Sequence, residues 1–324
     1  MSETKTIAVG GSVATLFSTL PDWHVVGLTR DPSKQPKTEG VSFVAADLNT
    51  PSTLKAAFAN ANVIFSTTDF WQHMGSASAL TESQSRGVTV NDIAYEREIQ
   101  QGKNIVDAAA STVATLDRFI MSTLSDARGW SKGAVTFNLH FDAKWKVVEY
   151  VKATYPELWA KTSLLQLGLY ASNWKIPGGL GVPKKVEGGG YVLGMPMGGE
   201  KKFPIVDPVA DTGNFTKALL SLPPNTHLVG AGSLISWTDY AAIWAKINNV
   251  SVSFAPFPGA VLEQNMGTAG KELADMFRYM DEFGYDGGDP SVVYPWEVKE
   301  KFGVDVKYTT IEEYLAKQDW SAYL

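Results

Sequence analysis

The segment "NLHFDAKWKVVEYVKATY" (138–155) sets His140 and Lys144 four residues apart in a stretch whose apolar spacing predicts a helix over 140–155. Side chains at that spacing share one helix face. An imidazole titrates near neutrality, so His140 is a candidate general acid or base; as a helix-cap or packing residue it would do no chemistry, and both readings stand. Other chemistries are thinner. The chain has no cysteine, which excludes disulfides, thiol nucleophiles and cysteine zinc sites. Its four histidines, His24, His73, His140 and His227, show neither HExxH nor HxH spacing, so no metal is expected. There is no Gly-x-Ser-x-Gly elbow, and no carboxylate pair that the sequence brings together for glycoside hydrolysis.

Positioning such residues requires a scaffold, and the first half of the chain supplies the pattern of one. Apolar runs at 6–10, 24–29, 41–47, 62–68, 118–123 and 163–168 read as strands, alternating with helical patterns at 12–20, 50–60, 94–112 and 140–155. This is the βαβ signature of an α/β protein with a Rossmann-like, doubly wound parallel sheet. In the 94–112 helix the spacing buries Ile99, Ile105, Val106 and Ala109. Beyond residue 170 the pattern breaks into Gly- and Pro-rich connections such as "KIPGGLGVPKK" and "EGGGYVLGMPMGGEKKFPIVD", with helices at 211–222, 236–248 and 270–284 and a strand at 227–232. The division expected is a Rossmann-like unit over 1–170, to which later segments return, and a smaller mixed α/β lobe over 171–324 covering the sheet's carboxyl edge.

At 324 residues and 44% hydrophobic, the chain can bury a sizeable core. Ten Trp, twelve Tyr and fifteen Phe suggest an aromatic-lined pocket as well as core packing. Met195, Met197, Met266, Met276 and Met280 read first as a methionine-rich core, with adaptable apolar surface for a bulky ligand as the alternative. A net charge of −6 without a basic block argues against nucleic acid as a partner. The polar N-terminus and the absence of any run of about 20 apolar residues predict a soluble cytoplasmic protein with no membrane partner.

Several strings in order carry a resemblance: "LTRDPSK" after the second strand, "AADLNTPSTLKAAFANANVIFSTTDFW", "QQGKNIVDAAAS", "HFDAKWKVVEYV", "GLYASNW" and "GGDPSVVYPWEV" near the end. Together they resemble the NmrA-like proteins over nearly the whole length. This atypical short-chain dehydrogenase/reductase group includes NADP-dependent reductases and NADP-sensing regulators. The resemblance implies NADP(H) as cofactor. It implies Arg30 on the adenosine 2′-phosphate, Asp47 and Leu48 near the adenine, and Thr67 and Thr68 after the fourth strand. It also matches Lys144 to the lysine of the Tyr-x-x-x-Lys pair, a ribose or substrate contact, with His140 in the tyrosine's place. Ser122 matches a serine that binds a carbonyl oxygen, or caps the next segment.

One departure weakens the cofactor reading. The family's turn resembles GATGxxGG, whereas here Val9 runs directly into Gly10, Gly11 and Ser12, some seven residues shorter. Glycines at such a turn let backbone N–H groups approach a pyrophosphate. What is left is either a minimal anion site or a tight strand-to-helix turn with Ser12 as N-cap. The loop "DFWQHM" follows the fourth strand at the ligand-binding edge, so Phe70, Trp71, His73 and Met74 are candidate pocket residues, faced by Tyr170, Asn173 and Trp174; ordinary lobe packing is the alternative for each. Three functions follow. One is NADPH-dependent reduction of a small hydrophobic or aromatic carbonyl, quinone or imine, with a place in secondary metabolism. The others are a cofactor-free isomerase, dehydratase or cyclase using the same cleft, and a non-catalytic NADP or ligand sensor.

Overall fold

The computed structural model describes residues 4–9, 12–176 and 179–324. Six strands alternate with helices as the hydrophobic pattern requires: β1 (Lys5–Val9), β2 (Trp23–Thr29), β3 (Val41–Ala45), β4 (Val63–Ser66), β5 (Arg118–Thr123) and β6 (Thr162–Leu167). They pair in parallel in the order β3-β2-β1-β4-β5-β6, and the short strands His227–Gly230 and Val292–Val293 extend the β6 edge to complete an eight-stranded sheet. This is the doubly wound α/β arrangement. Strand order reverses between β1 and β4, so a crevice opens at the carboxyl ends of those strands.

Both faces of the sheet are covered, which is why its strands read as nearly continuous apolar runs. One face packs Leu54 and Phe58 of the Pro51–Phe58 helix, Ile105 and Val106 of the Val90–Ala110 helix, and Val147 and Val151 of the Leu139–Thr154 helix. The other packs Val13 and Phe17 of the Ser12–Phe17 helix and Phe215 and Leu219 of the Pro208–Ser221 helix. The Val90–Ala110 helix starts at a full capping box, Thr89 with Asp92, and lies so close to the Leu139–Thr154 helix that a Cβ at Gly102 would collide with Val147. That approach lets polar side chains of one helix reach the other.

The first helix is shorter than its sequence pattern, ending at Phe17 rather than residue 20. Ser12 opens it, with its hydroxyl donated to the Pro208 carbonyl at 3.1 Å. In the Val90–Ala110 helix Ile99 is half-buried, and the sealed position beside it belongs to Glu98. Helices at Ala77–Arg86, Pro295–Phe302 and Ile311–Ala316 occupy segments where the sequence pattern is too short or too polar to announce one. Past residue 167 the chain forms two three-stranded sheets and the Trp237–Asn248 helix around an aromatic core of Trp237, Tyr240, Trp244 and Trp320. Much of the aromatic content is spent there. Met195, Met197, Met276 and Met280 are buried in the same core, and Met266 is exposed. Among the described residues no helix is long and apolar enough to cross a membrane.

Candidate active site

His140 stands in the first turn of the Leu139–Thr154 helix, where a backbone N–H has no partner within the helix. The N-cap residue, Asn138, provides no side-chain cap. Glu272, from the distant Thr268–Glu282 helix, takes that place: its Oε1 accepts the His140 backbone N–H at 2.8 Å and contacts the ring Nδ1 at 2.7 Å. Its Oε2 accepts from Asn91 Nδ2 at 3.1 Å. Glu272 is fully buried, and its negative charge at a helix N-terminus is favoured by the helix dipole. The imidazole lies among Phe141, Trp71 and Phe70, with ring centroids 4.9, 5.2 and 5.9 Å away. Its Nε2 has no partner among the described residues and is not sealed from solvent.

One turn on, Lys144 is held differently. Its Nζ donates to the Thr68 carbonyl at 3.0 Å, to Thr68 Oγ1 at 3.2 Å and to Glu98 Oε1. Thr68 Oγ1 itself donates to Glu98 Oε1 at 2.7 Å. Glu98 is fully buried, and its Oε2 has no hydrogen-bond partner. An ammonium carries three N–H donors, and all three of Lys144 are engaged. Between His140 and Lys144, Asp142 is also buried; desolvation pushes its carboxyl up to about 6, against the opposing pull of Arg128, whose Nε is 3.4 Å from Oδ2.

Thr67, Thr68, Ser122 and Lys144 line a narrow crevice at the carboxyl ends of β4 and β5. After β3 the Asp47 carboxylate accepts from Asn49 N at 2.8 Å and Asn49 Nδ2 at 3.0 Å, and the Leu48 carbonyl accepts from Asn104 Nδ2 at 2.8 Å. Arg30 is exposed and has no hydrogen-bond or ion-pair partner among the described residues. Gly10 and Gly11 lie outside the described residues, and the Ser12 hydroxyl is committed to Pro208.

The aromatic candidates divide. Trp71 is 40% exposed and covers the His140 ring, and Phe70 backs it from a buried cluster with Ala94 and Leu139 that Met74 borders. His73 is buried and meets Gln101 Oε1 at 3.3 Å. Tyr170 is exposed; restricted hydration of its phenol and then the charge of Asp69 raise its pKa. Asn173 begins a short 3₁₀ turn, and Trp174 packs on Trp320 at 4.4 Å, in the lobe's aromatic core. Among the described residues no group of three His, Asp or Glu side chains is arranged to hold a metal.

Glu98 and Glu272 are the residues that sequence reasoning missed, although each left a signal. Glu98 falls in phase with Gln101, Gly102 and Ile105, and Glu272 with Met276, Tyr279 and Met280, at positions of the buried helix face. A glutamate in such a phase must be paired, because burying a lone carboxylate is prohibitive.

The profile of the NmrA-like family matches residues 6–315. No curated protein matches the sequence significantly. Among solved structures, NmrA, a negative transcriptional regulator, in complex with NAD, superposes with a TM-score of 0.68 at 19% identity, covering 98% of this chain and 95% of that one. An isoflavone reductase gives 0.65 at 14% over 97% and 99% of the two chains. Leucoanthocyanidin reductase from Vitis vinifera, in a ternary complex, gives 0.64 at 13% over 96% and 100%. At these identities the structures establish the fold, and the profile match establishes the family: the chain belongs to the NmrA-like family.

Proposed function

We propose that this chain is an NADPH-dependent reductase of small aromatic carbonyl, quinone or imine compounds, with His140 as proton donor. The observation that carries the reading is the His140 ring itself, anchored at Nδ1 and open at Nε2 beside an exposed tryptophan at the ligand-binding edge of a doubly wound sheet. The residues present fit NADP(H) in part. Arg30 is unpartnered, as a 2′-phosphate site needs, and Thr67 and Thr68 lie where the β4 end meets the crevice. When bound, the cofactor supplies the hydride that goes to the carbonyl or imine carbon. The chain's own part is to deliver a proton from Nε2 to the developing oxyanion or amide, with the neutral ring left holding its Nδ1–H on Glu272 and solvent returning the proton to Nε2. Trp71 and Phe70 give the ring apolar neighbours that favour a flat apolar substrate.

Calorimetric titration with NADPH, followed by NADPH oxidation with 9,10-phenanthrenequinone as probe, tests this. Micromolar binding and turnover that His140→Phe abolishes are expected. A second reading, cofactor-free acid–base chemistry in the same cleft, is favoured by the six-residue first helix and by the engagement of every Lys144 donor. Absence of NADPH binding at millimolar concentration would select it. Binding without turnover of any probe would instead favour ligand sensing.

A further inference from the structure

We infer that Glu272 is the positioning residue of His140: it holds the proton on Nδ1 and thereby makes Nε2 the atom through which the ring exchanges protons with a ligand. The inference deepens the proposed role of His140 and rests on it only for its kinetic consequence. Three contacts converge on the Glu272 carboxylate: the His140 backbone N–H, the ring Nδ1, and Asn91 Nδ2. A carboxylate accepts and does not donate, so at 2.7 Å Nδ1 must carry the hydrogen. The backbone bond to the same oxygen fixes the ring's plane relative to the helix. Asn91, fully buried and also bonded to the Thr268 carbonyl at 3.3 Å, holds the other oxygen. His140 and Glu272 are 132 residues apart, on two different helices that the pair joins. A carboxylate at Nδ1 also stabilises the imidazolium that must exist before the proton leaves Nε2.

Glu272→Gln and Glu272→Leu separate acceptor from charge. The glutamine keeps an acceptor for both N–H groups, and Asn91 can accommodate it by turning its amide, whose Oδ1 is unpartnered here. The leucine keeps neither acceptor nor charge. With only four histidines in the chain, long-range ¹H–¹⁵N spectra of labelled protein at pH 8 resolve each ring, and loss of one pattern in His140→Gln assigns it. Expected are a proton on His140 Nδ1 in the wild type and in Glu272→Gln, and its loss from that atom in Glu272→Leu. Turnover of 9,10-phenanthrenequinone should fall 10- to 1000-fold in kcat in Glu272→Gln with KM nearly unchanged, and Glu272→Asp should recover part of it. A bare Nδ1 in the wild type would overturn the inference without any variant having to fold, and so would an unchanged pattern in a folded Glu272→Leu. Failure of the wild type to bind or oxidise NADPH would remove the reductase reading and leave the ring assignment standing on the spectra.

Discussion

His140 and Lys144 stand one helical turn apart, and each is bound to a fully buried glutamate from another helix, yet the two pairs are built for different ends. Glu272 takes one ring nitrogen and leaves the other open. Glu98, helped by both oxygens of Thr68, takes every donor that Lys144 has. The first pair keeps a functional valence; the second is closed on itself and ties the Val90–Ala110 helix, the Leu139–Thr154 helix and the end of β4 together. A motif match assigns both residues to chemistry. On the role proposed for His140, their partners suit one to proton exchange and the other to holding the scaffold around it.

Breaking each pair should therefore give a different symptom. His140→Gln should lower turnover by about 10²–10⁴, the usual contribution of a general acid, with little change in the unfolding midpoint. Lys144→Met should cost about 3–5 kcal/mol in urea unfolding, because it strands a buried carboxylate, and adding Glu98→Gln should recover most of the loss. A Lys144→Met protein of undiminished stability would refute the contrast. Arg30, the cation without a partner, sharpens it from the ligand side. Arg30→Ala should weaken NADPH binding by about 10- to 100-fold in a fluorescence titration, as expected for one charge-assisted contact, and leave NADH nearly untouched.

The smallest effect concerns Asp142, the buried carboxylate of the Leu139–Thr154 helix itself. Its pKa is raised from 3.8 to about 6, so its contribution to stability is fullest below the unfolded value and is lost as pH rises through 6. His227, hydrogen-bonded to Gln166 at 3.1 Å, runs the other way: burial lowers its pKa from 6.5 to about 4, and its contribution, complete above 6.5, is lost as pH falls toward 4. Between about 4 and 6 the two oppose each other. Asp142→Asn should raise stability at pH 8 by on the order of 1–2 kcal/mol and expose a steeper fall on acidification, read from unfolding curves at several pH values.

The sheet was legible because its strands are buried on both faces and its helices carry one apolar stripe, patterns that survive without tertiary knowledge. β5 was expected at 118–123 and lies there, and β6 is displaced by one residue. The site was legible only as far as types and spacing go. That His140 and Lys144 share a face follows from i, i+4 geometry. That Glu272 and Glu98 are their partners depends on helix packing across 132 and 46 residues of sequence, which no local pattern encodes. The first helix ends at Phe17 while its apolar pattern continues to Leu20. Trp174 reads as a pocket residue by its place after β6, but the indole of Trp320, far along the chain, claims its face.

The carboxylate that orients His140 comes from the last fifth of the chain, whereas the histidine comes from the sheet half. Recombination within the family is therefore constrained: a chimera that exchanged the segment around residue 272 for a relative's would inherit the fold but would transmit proton chemistry only with an acidic residue opposite position 140 and an amide opposite position 91 to hold it. On the role proposed for His140, a change of substrate would have to leave intact a junction to which both halves of this chain contribute.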